Sequence, residues 1–328
     1  MTAKPPLRLL TACALLLGLA AAPGAAHAQD KYPSRPIKLI VPFPAGGPVD
    51  VMARLVGQRL SASLGQQVII DNRPGAGSTL AGRAAAAADP DGYTLLVGSA
   101  ATMAIGPALY NNAGYDPLKD FAPIGFVSIV PYVMIAGQKV PANNVVELIA
   151  LAKANPGKLN FGVPNGAPPH MIAAWFRDLT KTDIVIVPYR GASNVITDLM
   201  GDQIQLGIET TSVTFGHVHE GKVKPLGVAT PARLRELPGV ATMIESGLPN
   251  FVAGSWTGLM APAATPRDIV MRLNAELNAG LASPEIKDRF HKLAAEARPG
   301  TPEDFRAFIV QEIPKWQAMA KLAGVKAE

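Results

Sequence analysis

Residues 37–50 begin with the pattern of a buried strand and continue into a loop rich in proline and glycine. The β-branched run Ile37–Val41 predicts a parallel strand covered on both faces. Gly46 and Gly47 let the backbone approach a ligand closely, and Pro48 suits the first position of a helix. Free amides and the helix dipole make such a helix start receptive to anions. On its own, the stretch is more typical of an ordinary βα turn, and only its recurrence further along the chain favours a ligand site.

The same succession of strand, Pro/Gly loop and helix start recurs at residues 159–170 and 184–193. A further strand pattern at 93–97 ends in Gly98–Ala101. Alternating strands and helices predict a parallel α/β sheet with right-handed crossovers, and ligands of such sheets bind beyond the carboxyl ends of the strands. We therefore predict two α/β lobes that direct these loops at a shared cleft and are joined by a hinge of crossing segments.

The beginning of the chain has the pattern of a secretory signal peptide. Lys4 and Arg8 precede an apolar run that ends in the small-x-small motif Ala26–Ala28. Cleavage is therefore predicted after Ala28. Cys13 is the only cysteine and would leave with this segment, so the mature chain would form no disulfide and no cysteine-ligated metal site.

Charge and hydropathy exclude two classes of protein. Loss of Lys4 and Arg8 reduces the basic residues from 30 to 28 against 25 acidic ones, which leaves a net charge of +3. This small excess forms no basic run, so a nucleic-acid-binding protein is not expected. No later stretch has about 18 uninterrupted apolar residues, so no retained membrane span is predicted.

Motifs for catalysis are incomplete in this sequence. Gly191–Val195 comes closest to a serine-hydrolase elbow but lacks the second glycine, and we interpret Ser193 as the N-cap of the next helix. The motif His217–His219 has no third metal ligand nearby, so we interpret it as a solvated turn. His170 begins a helix that faces the predicted cleft, where it orients a ligand, caps the helix or supports a residue that contacts the ligand. These patterns favour binding, with no enzymatic activity, no cofactor and no metal ion.

Seven short motifs follow one another in a specific order and spacing along the mature chain: Tyr32–Ile37, Val41–Asp50, Asn72–Gly77, Asp91–Leu96, Tyr115–Phe121, Val187–Gly191 and Ser255–Gly258. Together they resemble the motifs of Bug-type extracytoplasmic solute receptors, the periplasmic components of tripartite tricarboxylate transporters. The resemblance implies a periplasmic-binding-protein fold of the second type, in which two lobes close over a small carboxylate. The resulting division is a signal peptide at 1–28, a first lobe at 29–131 and 252–328, and a second lobe at 132–251.

The resemblance also implies where the ligand binds. Main-chain groups and bridging waters of the first strand-end loop would hold a carboxylate, and loops of both lobes would complete the pocket. The expected ligand-binding residues are Phe43, Pro44, Ala45, Gly46, Gly47, Asp50, Ser99, Ala100, Asn165, Gly166, His170, Tyr189, Arg190, Gly191, Ser193, Glu209 and Thr210. Val49 stands where the family commonly has threonine, and Pro164 and Ala167 lie in a loop that often carries serines. The identity of the ligand therefore does not carry over.

Three charged side chains in this set leave alternatives open. Arg190 can donate a charge-assisted pair of hydrogen bonds to a carboxylate. Asp50 and Glu209 would repel a carboxylate and can instead accept from an amine or hydroxyl of the ligand. Asp50 can equally serve only to compensate the dipole of its helix.

The expected function is that of a monomeric periplasmic receptor. It would capture a small organic carboxylate and deliver it to the membrane subunits of a tripartite tricarboxylate transporter. One alternative is a periplasmic ligand sensor for a membrane kinase, which shares the same binding chemistry. Another is a secreted serine hydrolase with Ser193 or Ser99 as nucleophile and His170 as base.

Overall fold

The structure, a computed structural model, describes residues 32–324 apart from Asn111 and Leu293. The predicted signal peptide and its cleavage after Ala28 lie outside the described residues. From Arg35 onward, the described residues belong to one compact unit, and the few that precede Arg35 belong to another.

Ten strands and ten α-helices, which alternate over most of the chain, lie in the described residues together with one short 3-10 turn and one short π turn. The strands are β1 (Ile37–Val41), β2 (Val68–Asn72), β3 (Thr94–Ser99), β4 (Phe121–Gly137), β5 (Asn160–Pro164), β6 (Val185–Tyr189), β7 (Leu206–Thr210), β8 (Val223–Val228), β9 (Gly254–Pro262) and β10 (Glu296–Ala297). The α-helices are α1 (Pro48–Leu64), α2 (Thr79–Ala86), α3 (Gly106–Leu109), α4 (Val145–Ala154), α5 (Pro168–Thr180), α6 (Ala192–Met200), α7 (Thr211–His219), α8 (Arg267–Leu281), α9 (Pro284–Lys292) and α10 (Pro302–Ala323). None of the helices described combines the length and apolar character that crossing a bilayer requires.

The first three strands form a parallel ladder in the order β2, β1, β3. Leu39 of β1 pairs with Ile70 on one side and with Leu95 on the other. Every residue of β1 except Lys38 is buried, as expected for a central strand of a sheet that is covered on both faces. The prediction of a buried parallel strand here is confirmed.

The 17-residue strand β4 links two sets of strands. Its first part pairs antiparallel with β9 as far as Pro131, and its second part pairs antiparallel with β7 and β8 from Tyr132 onward. β5 lies parallel between β7 and β6, so the sheet order is β2-β1-β3-β9-β4-β7-β5-β6, with β8 and β10 also paired to β4. The fold is therefore α/β with a mixed sheet. The exchange of partners within β4 coincides with the lobe boundary inferred from the sequence, and the division into lobes itself stays a prediction.

Helix starts agree with the sequence at two loops and differ at two others. α1 and α5 begin with Pro48 and Pro168, as predicted. The predicted N-cap Ser193 is wrong, because the extended backbone of Gly191 caps α6 and places Ser193 inside the helix. The loop predicted after residue 97 is also absent, because β3 continues to Ser99 and a π-helical turn follows directly.

A buried carboxylate ties α10 to β9. Glu312 Oε2 accepts hydrogen bonds from Nε1 of Trp256 at 3.0 Å and from Nε1 of Trp316 at 2.7 Å. Its other oxygen accepts from Lys315. Because both indoles are almost completely buried, these bonds fix where two large side chains lie between the sheet and the last helix.

Gly258 of β9 has no room for a side chain. A Cβ at this position would lie 2.1 Å from Cζ of Phe305 and 2.8 Å from the backbone oxygen of Gly125. We expect Gly258→Ala to lower the free energy of unfolding by about 1–3 kcal/mol through overpacking, as measured by urea denaturation. Gly239→Ala is the matched control, since nothing lies within 4 Å of its Cβ. Equal stabilities of the two variants would contradict this packing.

Candidate functional site

A cavity of about 370 Å³ lies beyond the carboxyl ends of β1, β3, β5, β6 and β7. Its walls come from the loops and helix starts that follow these strands, from β4 and β9, and from α10. The lining side chains are mostly apolar, with hydroxyl groups between them. The residues that line it are Phe43, Pro44, Gly47, Val49, Met52, Ser99, Ala100, Ala101, Ser128, Val130, Tyr132, Pro164, Ala167, Pro168, Pro169, Ala192, Glu209, Thr210, Ser212, Val213, Gly254, Ser255, Trp256, Thr257 and Trp316.

Four α-helices begin at this cavity. Gly47, Ala167 and Thr210 are the N-caps of α1, α5 and α7, and Ala192 is the first residue of α6; all four line the cavity. None of the four helices has a side-chain hydrogen bond from its N-cap. The positive ends of four helix dipoles therefore meet in one place, which favours a negatively charged ligand.

The four helix starts differ in the hydrogen-bond donors that they offer. The first turn of a helix leaves amide hydrogens without an intrahelical partner. Pro168 and Pro169 have no amide hydrogen, so α5 contributes little more than its dipole. The first turns of α6 and α7 start Ala192-Ser193-Asn194 and Thr211-Ser212-Val213, and each of these residues has an amide hydrogen. The sequence thus places main-chain donors at α6, at α7 and, after Pro48, at α1.

Basic side chains are absent from the lining in the described part of the chain. No Lys, Arg or His is among the residues that line the cavity. Several hydroxyls already bond each other, such as Ser128 Oγ with Thr257 Oγ1 at 3.1 Å and Thr210 Oγ1 with Ser212 Oγ at 2.9 Å. An anion in this cavity would depend on main-chain amides, hydroxyls and helix dipoles.

Asp50 holds the loop after β1 in place. Its Oδ2 accepts from the Gly46 amide and from Arg54 Nε, both at 2.8 Å, and its Oδ1 accepts from Asn72 Nδ2 at 2.8 Å. The same Asn72 nitrogen donates to the Phe43 oxygen at 3.0 Å. Burial by itself raises the pKa of Asp50, but these three donors outweigh it and lower the pKa from 3.8 to about 2. Asp50 therefore positions the loop from outside the cavity.

Glu209 is the one Asp or Glu among the described lining residues. It lies next to the carboxyl end of β7 and is only 4% exposed. Its Oε1 has no hydrogen-bond partner in the described structure. Burial raises the pKa of Glu209 to about 8, against the opposing effect of the Thr210 amide. The side chain is therefore mostly protonated at neutral pH.

The structure brings some of the residues expected from the sequence to the cavity and leaves others outside it. Those that line it are Phe43, Pro44, Gly47, Ser99, Ala100, Glu209 and Thr210. Those that do not are Ala45, Gly46, Asp50, Asn165, Gly166, His170, Tyr189, Arg190, Gly191 and Ser193.

Local contacts explain why several of these side chains lie elsewhere. The Tyr189 hydroxyl donates to Asp198 Oδ2 at 2.8 Å, which directs it along α6. His170 Nδ1 accepts from the Gly166 amide at 3.4 Å, and burial lowers the pKa of His170. The Arg190 side chain is exposed. The sequence predicted that charged and aromatic side chains after β5 and β6 would line the cavity. The starts of α5 and α6 line it instead.

Sequence reasoning missed the wall that β4, β9 and α10 contribute. Val130, Tyr132, Trp256 and Trp316 all line the cavity. The motif Ser255–Gly258 is one indication of this wall in the sequence, because it is one of the seven motifs that resemble the family and three of its residues line the cavity. Trp316 lies on a helical stripe like any core residue, so the sequence held no sign that it reaches the cavity.

Comparisons with known proteins identify the family of the chain. The family described as Tripartite tricarboxylate transporter family receptor matches residues 52–325. The protein BugT of Bordetella pertussis is 36% identical over 299 residues, which cover 90% of this chain and 92% of BugT.

Two solved structures resemble the chain at 32–33% identity. One is Rpa4515 of R. palustris with adipate, at 33% identity and a TM-score of 0.79, covering 90% of this chain and 99% of that one. The other is MatC (Rpa3494) of Rhodopseudomonas palustris with bound malate, at 32% identity and a TM-score of 0.76, covering 88% and 100%. Each match extends over most of the chain.

The role of Asp50 predicts a stability difference that depends on pH. A lowered native pKa contributes stability that is present above pH 3.8 and lost as the pH falls through about 2. We expect Asp50→Asn to lower the free energy of unfolding at pH 7 by about 2 kcal/mol, because each pKa unit corresponds to about 1.4 kcal/mol. Denaturant unfolding at a series of pH values measures this. A difference between the variant and the parent protein that stayed constant from pH 7 down to about pH 2 would contradict the assignment.

Proposed function

Because the chain belongs to the tripartite tricarboxylate transporter receptor family, we propose that it captures a small organic carboxylate in the cavity and delivers it to the membrane subunits of such a transporter. The chain is a solute-binding protein of this receptor type, and members of the family are periplasmic proteins that bind small carboxylates. The single observation that carries the proposal is the meeting of four helix amino-termini at a mainly apolar cavity.

The electrostatics of the cavity support an anionic ligand. Each helix start stabilises a nearby negative charge by about 0.3–1 kcal/mol, and by up to about 2 kcal/mol in a partly buried site. Four such ends therefore supply several kcal/mol, on the order of half of what micromolar binding requires. Main-chain and hydroxyl hydrogen bonds would supply more.

The apolar lining supports a ligand with a short hydrocarbon body. Val130, Val213 and Met52 face the cavity beside Trp256 and Trp316. Burying apolar surface contributes about 25 cal/mol per Å², and a volume of about 370 Å³ lies at the small end of ligand sites. Adipate and malate, the acids bound in the two similar structures, are therefore the first candidates for this chain.

Binding without chemistry is the better-supported role. A serine hydrolase would need a nucleophile within hydrogen-bond distance of its base. Ser193 is exposed on α6, Ser99 bonds Thr102 beside β3, and His170 Nδ1 faces the Gly166 amide. These contacts give the hydrolase alternative no support.

The proposal includes export and a transporter partner. The signal peptide predicted at 1–28 would direct the chain to the periplasm, where cleavage after Ala28 would release it. There the receptor would act as a monomer that presents its bound acid to the membrane subunits.

A thermal-shift screen tests the proposed ligand class. We expect adipate, malate or another small carboxylate to raise the melting temperature, because a ligand at one hundred times its Kd adds about 2.7 kcal/mol of stability. The uncharged diamide of adipate is the control for charge. Ala192→Trp should abolish the shift, since Ala192 lines the cavity, whereas Ala307→Trp on the exposed face of α10 should keep it. The proposal fails if no carboxylate in the panel shifts the parent protein.

Arg190→Ala distinguishes main-chain capture from side-chain capture of the anion. Because Arg190 is exposed and does not line the cavity, we expect the Kd measured by calorimetry to change by less than about fivefold, the most that one exposed ion pair supplies. A loss of a hundredfold or more would show that Arg190 pairs with the ligand directly.

A further inference from the structure

Glu209 has a buried carboxyl group that the proposed capture of an anion leaves unexplained. The side chain lines the cavity, is 4% exposed, and has an Oε1 atom without a partner in the described structure. The Thr210 amide donates a hydrogen bond to the carboxyl group, and Oε1 is a buried carboxyl oxygen without a hydrogen-bond partner in the described structure.

An ionised Glu209 would need a cation, and the surroundings supply none. Removing a carboxylate from water costs several kcal/mol unless a partner compensates for the loss of solvation. No basic side chain is among the described lining residues, and Glu209 forms no ion pair in the described structure. Burial consequently favours the protonated form, in which one carboxyl oxygen becomes a hydrogen-bond donor.

The elements packed against β7 present few other titratable groups. From β4, Tyr132 lies close enough to Glu209 for an ionised Glu209 to add to the effect of burial in raising the pKa of Tyr132, and the Tyr132 hydroxyl is bonded to Ser255. From α6, Asp198 is occupied by the Tyr189 hydroxyl. β5 carries no titratable side chain.

The helices α5 and α7 also pack against β7. α5 carries His170 in its first turn and Arg177 and Asp178 in its last turn, and α7 carries His217 and His219 in its last turn. None of these basic side chains forms an ion pair with Glu209 among the described residues. No basic side chain among the described residues therefore pairs with Glu209 and takes up its proton.

We propose that Glu209 acts as a neutral carboxylic acid whose hydroxyl donates a hydrogen bond to a carboxylate oxygen of the bound ligand. This inference rests on the proposed function, because it needs a carboxylate in the cavity. It gives the cavity a charge-assisted donor without a basic side chain. No bond is broken: the proton stays on Glu209 in the complex, and the ligand enters as the anion.

The pH dependence of binding follows from this arrangement. A complex that keeps the proton requires protonated Glu209, so the Kd stays constant below the pKa of about 8 in the free protein. Above it, the Kd rises about tenfold for each pH unit. A ligand ammonium group at this position would produce the opposite trend, because its binding would release the proton.

The test measures the affinity of the parent protein and three variants for one probe between about pH 6 and pH 9 by calorimetry. The probe is adipate, or whichever acid of the panel gives the largest thermal shift. Glu209→Gln keeps a neutral donor, so we expect a Kd within about threefold of the parent at pH 6.5 and no rise at high pH. Glu209→Leu removes the donor and should weaken binding about tenfold to a hundredfold at pH 6.5. Glu276→Gln, outside the cavity, should follow the parent at every pH.

Three results would overturn the inference while the proposed function stood. They are an affinity of the parent that rises with pH, a Glu209→Leu variant that binds as tightly as the parent, and a Glu209→Gln variant that loses binding tenfold or more at pH 6.5. Failure of every acid to bind the parent would overturn both proposals. Infrared spectroscopy of the protein without ligand adds an independent readout: the parent at pH 7 should show the carbonyl band of a buried protonated carboxyl, and Glu209→Gln should lack it.

Discussion

The convergence of helix amino-termini on one mainly apolar cavity is the constraint on which the rest of the site depends. A negative charge in such surroundings loses its hydration, and no basic side chain among the described lining residues compensates for the loss. Fixed dipoles and main-chain amides can do so without a counterion, provided that the loops before the helices hold their shape. The sheet helps to supply this condition, because each of these helices comes next in the chain after a strand and starts beyond its carboxyl end.

Three buried acids show how the surroundings decide the role of a carboxyl group. Asp50 accepts from three donors and stays ionised, so it holds the first loop. Glu312 accepts from Trp256, Trp316 and Lys315, so it fixes two indoles of the cavity wall. Glu209 has one amide donor and a free oxygen, so it keeps its proton and can itself donate. The first two acids hold parts of the cavity wall in position, and the third can donate a hydrogen bond to a ligand.

Local patterns predicted much of the fold and a part of the candidate site. Ile37–Val41 and the proline helix starts follow from periodicity and backbone chemistry, which act over a few residues. The N-cap at Ser193 was wrong because Gly191 adopts the cap conformation two residues earlier. Tyr132 and Trp316 could not be predicted as lining residues, since the crossing of β4 and the docking of α10 bring them to the cavity over long sequence separations. The protonation of Glu209 likewise depends on burial, which the sequence does not state.

A crystal structure of the protein with a bound carboxylate tests the central claim most directly. The account predicts one carboxylate with oxygens about 3 Å from main-chain amides in the first turn of α1, α6 or α7, inside the cavity that Trp256 and Trp316 line. A carboxylate that pairs with Arg190 or lies outside that cavity would contradict it.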